Sequence, residues 1–406
     1  MVRLPGPLRP YFPYLKPAYT VATGLVAPAN QQISRLRGGY LPTGSVDTME
    51  DAAATSGGRC CTARASEVVT RPIPQGLPPN DPTFLDNRRE VVPRVAVAEL
   101  PGGRVLGPHA AVITGRGDLV WELSSYFGTT RPRQHPLFLH PFPPAPLQVG
   151  GRLGVLATQG DVNYYHFMMD VLPRFGVLEQ CPEVASPDRW YVPARTRFQR
   201  ELLDLFDIPA ERRIDSTQVT HVQAECLVVP MPPALTVINP PWAVAYLRRR
   251  LLSAPSSRIP GRFIYLTRGS GANNRRVTNE DQVVDILSAR GFTAIDPGQM
   301  PVVEQIRAFA EASVIVAPHG ASLANLVFAS PGSTLVELFP AGALVPDFWK
   351  MASGVPGLEY RYLTGPGRPG PAQRTRSQLI VSDIEVDLAV LSSVLDEVEG
   401  RQASAS

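Results

Sequence analysis

GFTAIDPGQMPVVEQIRAFAEASVIVAPHGASLANLVFASPGSTLVELFP, residues 291 to 340, is where the fold can be read. FTAIDP, SVIVAP and STLVELFP are short apolar runs bounded by turn residues, the pattern of buried strands. Between them lie PVVEQIRAFAEA, whose leading proline suits a first helical position, and the small-residue stretch ASLANLVFA, expected to be a short helix. Strand and helix alternating across short loops predict a parallel, doubly wound sheet.

The same rhythm extends both ways. Upstream, RFIYLTR (262 to 268) reads as a strand. TNEDQVVDILSARG (278 to 291) reads as a helix with an Asn/Thr cap, acids in its first turn and a terminal glycine. Downstream, QLIVS and DIEVDLAVLSSVLDEVE (378 to 399) add a strand and a capped helix. In the first half, HAAVITGRGDLVWELS (109 to 124) alternates as a hairpin does, and GRLGVLAT (151 to 158), RWYVPA and CLVVP read as strands. RFQRELLDLF is helical, and residues 163 to 180 have helical spacing at Phe167, Val171, Phe175 and Leu178, interrupted by Pro173.

Proline is frequent, 43 residues, and it clusters. PLFLHPFPPAP (136 to 146) cannot sustain a regular element, since proline lacks the amide donor. PMPPALTVINPPW (230 to 242) reads as an interdomain linker. The expectation is an α/β protein of two Rossmann-like domains facing a cleft, with ligands at the carboxyl ends of the strands. Its parts are a Pro/Gly-rich segment over 1–90, loosely ordered or wrapping a neighbour, an α/β domain over 91–235, a second over 242–377, and a strand, helix and tail over 378–406.

With 406 residues, 44% hydrophobic and 18% charged, the chain has globular composition. Only Lys16 and Lys350 are lysines, so 37 of the 39 basic residues are arginine (39 − 2). With the abundant Ala, Pro and Gly, this bias matches a high-GC bacterial genome. The net charge of +3 without a basic block gives no electrostatic footprint for nucleic acid. No apolar run of about 18 residues is present to span a membrane, and Pro and Tyr interrupt any signal core behind Arg3 and Arg9. Cys60, Cys61, Cys181 and Cys226 fit neither a disulfide framework nor a zinc pattern. The expectation is a cytoplasmic protein, peripheral to the inner membrane at most.

Four stretches carry candidate chemistry. His319 and Gly320 sit where a strand turns into a helix, a plausible phosphate seat; the alternative is a tight turn with a packed histidine. In LTRGSGANNRRVTNE (266 to 280), Arg268 ends a strand, and Arg275 and Arg276 lie in a Gly/Asn loop that lacks the ending of a Walker loop. In NYYHFMMDVLPRF (163 to 175), His166 and Asp170 share one helix face, as a base and its orienting acid or as a satisfied buried pair. No third or fourth ligand stands at metal-binding spacing. Glu337, an acid near the end of an apolar strand, is placed to take ribose hydroxyls or to pair with a neighbouring arginine.

In combination and order, these stretches resemble glycosyltransferase family 61, over about residues 150 to 340. The resemblance implies a GT-B architecture and inverting transfer from a nucleotide sugar, usually a UDP-sugar, without an obligatory metal or cofactor. It implies a glycan or lipid-linked glycan acceptor, as in bacterial surface polysaccharide synthesis. The family's motif positions fall on His166, Asp170 and Arg174, on Arg268, Arg276 and Asn279, on Glu304 and Gln305, and on His319, Gly320, Asn325 and Glu337, and Ala321 is expected to join the nucleotide-sugar site. The family often has Gly at Ser322 and Trp at Phe167. His166, oriented by Asp170, or Asp170 itself, is expected to take the acceptor's proton. Arg268, Arg276 and the amides at His319 and Gly320 are expected to hold the diphosphate. Two rivals remain: a nucleotide-sugar epimerase, which needs no acceptor, and a non-catalytic nucleotide-binding module of a polysaccharide assembly complex.

Overall fold

The computed structural model describes residues 12–124, 126, 128–233, 238–252, 262–269, 275–366 and 382–405. They form a mixed α/β structure of two compact units, Met1–Glu67 with Pro93–Leu235, and Val68–Val92 with Thr236–Ser406.

In the first unit, β1 (Val95–Pro101) runs antiparallel to β5 (His221–Pro230). On the other side of β5 lie β2 (Leu147–Val155), β3 (Arg189–Val192) and β4 (Arg213–Asp215), and β2 through β5 are parallel. Their spatial order is β4-β3-β2-β5, so the order reverses between β2 and β5. Leu153 pairs with Arg189 on one side and Leu227 on the other, and Leu153, Val155, Leu227 and Val228 are fully buried. Each such side chain contributes about 1.5–3 kcal/mol by leaving water. The expected hairpin is present, with Ala111–Ile113 antiparallel to Asp118–Val120.

In the second unit, β6 (Arg262–Leu266), β7 (Phe292–Ile295), β8 (Ala312–Pro318), β9 (Thr334–Phe339) and β10 (Glu359–Thr364) are parallel, in the order β7-β6-β8-β9-β10. Here the reversal falls between β6 and β8. Gln75–Leu77 adds a parallel strand beside β10. One register row runs Thr293, Ile264, Ile315, Leu335, Tyr360. Val283 and Leu287, from a helix over Glu280–Ala289, and Leu391, Leu395 and Val398, from a helix over Leu388–Ala405, cover Tyr265, Val314, Val316 and Val336.

Several expectations are corrected. The stretch before residue 90 is more regular than its composition suggests, with a helix over Phe12–Leu36, a second over Met49–Ser56 and four short strands. Helix Met49–Ser56 is set by Thr48, whose hydroxyl accepts from Asp51 N, and by Gly57 in the left-handed region. The small-residue helix is a 3₁₀ helix, Ala321–Phe328. The cap at Asn279 makes no side-chain bond to its own helix. Of the expected QLIVS strand, all but Ser382 lies outside the described residues, and Asp387 caps the helix after it, accepting from Ala389 N and Val390 N. Cys61 and Cys181 form a disulfide across 120 residues, Cα–Cα 6.1 Å. That overturns the reading that the cysteines fit no disulfide framework. Sequence alone cannot pair cysteines at such a separation.

Candidate functional site

In the second unit, the carboxyl ends of β6 and β8 flank the reversal of strand order, where open α/β sheets bind ligands. Arg268 follows β6, and its Nη1 donates to the carbonyl of His319, which follows β8, at 2.8 Å. Gly320 has extended φ and ψ, 178° and 163°, that any residue can adopt. Its role is space, because a side-chain carbon there would collide with the Arg268 guanidinium. Arg275 stands at φ 59°, rare for a residue other than glycine. It lies within electrostatic reach of Arg268, Glu337 and Asp347. Burial, reinforced by the Arg268 charge, lowers its pKa to about 10. The Nε atoms of Arg268 and Arg275 are buried and have no hydrogen-bond partner among the described residues. Two like charges side by side, each with an unmet donor, are costly until an anion completes them.

Beneath these arginines is a buried chain. His319 Nδ1 lies 2.6 Å from Glu337 Oε1, and the Tyr360 hydroxyl donates to Glu337 Oε2 at 2.5 Å. Glu337 is fully buried. Both its oxygens are engaged, so it orients His319 rather than offering itself to ribose hydroxyls. Burial raises the Glu337 pKa to about 8, against the pull of Tyr360 and Arg275. Burial, then Arg275, lowers that of His319 to about 3. The His319 ring stacks on Phe339, with centroids 5.1 Å apart.

Other expected ligands have different work. Asn279 donates to Val386 O and accepts from Val386 N, clasping the C-terminal segment. Arg276 is exposed; its amide donates to Asp383 and its carbonyl accepts from Ile384 N. Asn325 is fully buried and donates to Gln305 Oε1 at 2.9 Å, tying the 3₁₀ helix to helix Val302–Glu311. Glu304 is exposed on that helix, and Ala321 opens the 3₁₀ helix half-buried.

In the first unit, the reversal between β2 and β5 is occupied by Arg174, which donates to Pro230 O at 2.6 Å and Leu156 O at 2.9 Å. Burial lowers its pKa to about 9, opposed by Asp170 and Asp161. It sits on a helix that opens as a short α-turn, Tyr164–His166, widens to a π-turn over Phe167–Val171 and resumes over Pro173–Glu179. Pro173 has no amide to give the preceding turn, and Leu172 N reaches back five residues to Phe167 O instead. Asn163 caps the start, accepting from Tyr165 N. His166 Nδ1 and Asp170 Oδ2 are 2.7 Å apart, each side chain about a fifth exposed, at 22% and 21%. Burial raises the Asp170 pKa, although His166 and Arg174 oppose it. With Nδ1–H donated to Asp170, a neutral His166 carries its lone pair on Nε2, the arrangement of an oriented general base. Gly160, at φ 83°, lies against the ring, where a side chain would come within 3.0 Å.

Three residues escaped the sequence reading: Asp161, Tyr360, and Arg275 as the inward member of the arginine pair. Asp161 accepts from Thr158 N at 2.8 Å, and burial pushes its pKa up to about 7, with Arg174 and His166 opposing. Its signal is an acid just past the carboxyl end of a strand. Arg275 and Arg276 are adjacent in sequence, and only the backbone turn at Arg275 separates their roles. Tyr360 is linked to Glu337 only by the pairing of neighbouring strands.

Two sheets, each parallel around its reversal of strand order and each with charged side chains there, define an α/β protein with an arginine pair in one unit and a histidine–carboxylate pair in the other. A stretch of the chain, residues 164–336, matches the family model for Glycosyltransferase 61. It holds His166, Asp170, Arg174, Arg268, Arg275 and His319; Glu337 follows it directly. The chain is 34% identical over 108 residues to the beta-1,2-xylosyltransferase RCN11 of Oryza sativa subsp. japonica, covering 25% of this chain and 20% of that protein. It is 33% identical over 106 residues to a beta-1,2-xylosyltransferase of Arabidopsis thaliana, covering 23% and 20%. The chain thus spans about a fifth of the length of these curated relatives. Among the described residues, no helix is long and apolar enough to cross a membrane.

Proposed function

We propose that the protein is an inverting glycosyltransferase that moves a sugar from a nucleotide diphosphate sugar, first of all a UDP-sugar, to a hydroxyl of a glycan acceptor. The observation that carries this reading is the arginine pair at the reversal of the second sheet, each member with a buried Nε that has no partner among the described residues. As the bond from sugar C1 to the diphosphate breaks, its electrons go to the leaving phosphate. Arg268 and Arg275 are fixed cations for that charge and need no metal to supply it. The acceptor oxygen forms its bond to C1 from the opposite face, and its proton passes to His166 Nε2 while Asp170 holds the ring. The match of residues 164–336 to Glycosyltransferase 61, a stretch that contains both groups, supports glycosyl transfer.

A GT-B arrangement belongs to the same proposal, supported by two α/β units that each carry a charged cluster at a strand-order reversal. Both plant relatives are named as xylosyltransferases, so a pentose donor is the first to try. A bacterial polysaccharide setting has its support in composition alone, and the two named relatives are plant proteins. The test is UDP release from UDP-xylose and other UDP-sugars, with and without glycan acceptors. Acceptor-dependent release supports transfer. Conversion of the nucleotide sugar without acceptor would make the protein an epimerase, and binding without turnover a nucleotide-binding module.

A further inference from the structure

An anion seat works only if the groups around it donate. Arg268 and Arg275 can do nothing else. His319 can do either, because a neutral imidazole donates from one nitrogen and accepts at the other. Which nitrogen carries the hydrogen is settled at Nδ1, and Nδ1 meets a single carboxyl oxygen, Glu337 Oε1, at 2.6 Å. A Glu337 carboxylate would draw the hydrogen to Nδ1 and leave a lone pair on Nε2, repelling phosphate oxygens. A Glu337 carboxylic acid would donate its own hydrogen to Nδ1 and leave Nε2–H as a donor.

We infer that Glu337 is a buried carboxylic acid that positions His319 as a neutral Nε2–H donor to a phosphate oxygen of the nucleotide, with Tyr360 holding the acid's other oxygen. Glu337 acts through His319 and is a positioning residue. The inference rests on the proposed phosphate seat.

Three observations support it. Glu337 is fully buried in the middle of a parallel sheet, where an ionised carboxylate is costly. Its oxygens are used asymmetrically. Tyr360 donates to Oε2, so the acid hydrogen belongs on Oε1, the oxygen that faces His319. The charged groups acting on the pair are few. Arg275 pulls on Glu337 and His319, Arg268 and Asp347 act on His319, and Asp347 and Tyr362 act on Tyr360. The cationic arginines disfavour an imidazolium, and the shifts of both partners, His319 down to about 3 and Glu337 up to about 8, describe an acid beside a neutral ring.

The isostere of a carboxylic acid is an amide. Glu337→Gln keeps a donor toward Nδ1 and an acceptor for Tyr360, whereas Glu337→Ala keeps neither. Calorimetric titration with UDP, at pH 7 and then up to pH 9, compares the two with wild type. The expected result is a tenfold or larger loss in Glu337→Ala, restoration to within about threefold in Glu337→Gln, and loss of the wild-type decline above pH 8 in Glu337→Gln. Should the variants misfold, ¹⁵N spectra of histidine-labelled wild type give the tautomer of His319 directly, with Nε2–H expected. An Nδ1–H tautomer, or a Gln variant as weak as the Ala variant, would overturn the inference. Wild type that does not bind UDP at all, with His319 still in the Nε2–H form, would instead overturn the phosphate reading on which it rests.

Discussion

Where strand order reverses in the first unit, Arg174 closes onto the backbone carbonyls of Pro230, Leu156 and Ala157, and its neighbours His166 and Asp170 are partly open to solvent. Where it reverses in the second unit, Arg268 and Arg275 each keep a buried nitrogen with no partner among the described residues, and the histidine and carboxylate beneath them are enclosed. The same residue types thus serve opposite ends. In the first unit the cation is satisfied by the protein, and the histidine–acid pair can exchange a proton. In the second, on the proposed reading, the cations take a phosphate and the histidine–acid pair is neutral. Burial raises the pKa of both acids, but the groups beside them differ. Asp170 keeps a fifth of its side chain exposed and is opposed by His166 and Arg174, whereas Glu337 is fully enclosed and, in our inference, makes His319 a fixed donor.

The largest effect that could break this contrast belongs to the first unit. His166→Ala should lower turnover by about 10²–10⁴, the usual range for a lost general base, with UDP affinity unchanged; a fall in affinity instead would put the histidine at the donor. Next comes the disulfide. Replacing Cys61 and Cys181 by alanine should destabilise the first unit by about 2–5 kcal/mol. Hydrogen exchange should show lost protection in β2 and β5 and unaltered protection in β8 and β9. Arg268→Ala or Arg275→Ala should weaken UDP binding about 10- to 100-fold, since hydrogen bonds to charged groups are worth roughly 1.5–3 kcal/mol.

A pH series sharpens the comparison through Asp161. Its folded pKa of about 7 lies above the unfolded value near 4. A raised acid contributes stability that is fully present below the unfolded pKa and is lost as pH rises through the folded one. Asp161→Asn should therefore flatten the decline in unfolding free energy between about pH 4 and 7, measured in urea. The smallest effect is expected at Arg276→Ala, within about threefold in UDP affinity, because that exposed residue contributes backbone bonds to the C-terminal clasp.

Much of the fold was legible. Apolar runs such as SVIVAP and STLVELFP have no alternative to burial in a parallel sheet, and β8 and β9 stand where those runs lie. His166 with Asp170, and Arg268 with His319, could be named because helical spacing and strand ends bring such pairs together. The rest needed the third dimension. Asn279 and Asn325 resemble ligands in sequence, yet their amides bind Val386 and Gln305, partners 107 and 20 residues away. The Cys61–Cys181 bridge and the Tyr360–Glu337 contact likewise join segments whose proximity is set only by sheet order. Arg275 and Arg276 differ by one backbone torsion, which no composition records.

The most direct test of the central claim is calorimetric titration of UDP into wild type and Arg268→Ala, each with EDTA and again with magnesium. The account predicts wild-type binding that is indifferent to EDTA and is about 10- to 100-fold weaker in Arg268→Ala. No UDP binding, binding only with magnesium, or undiminished affinity in Arg268→Ala would contradict it.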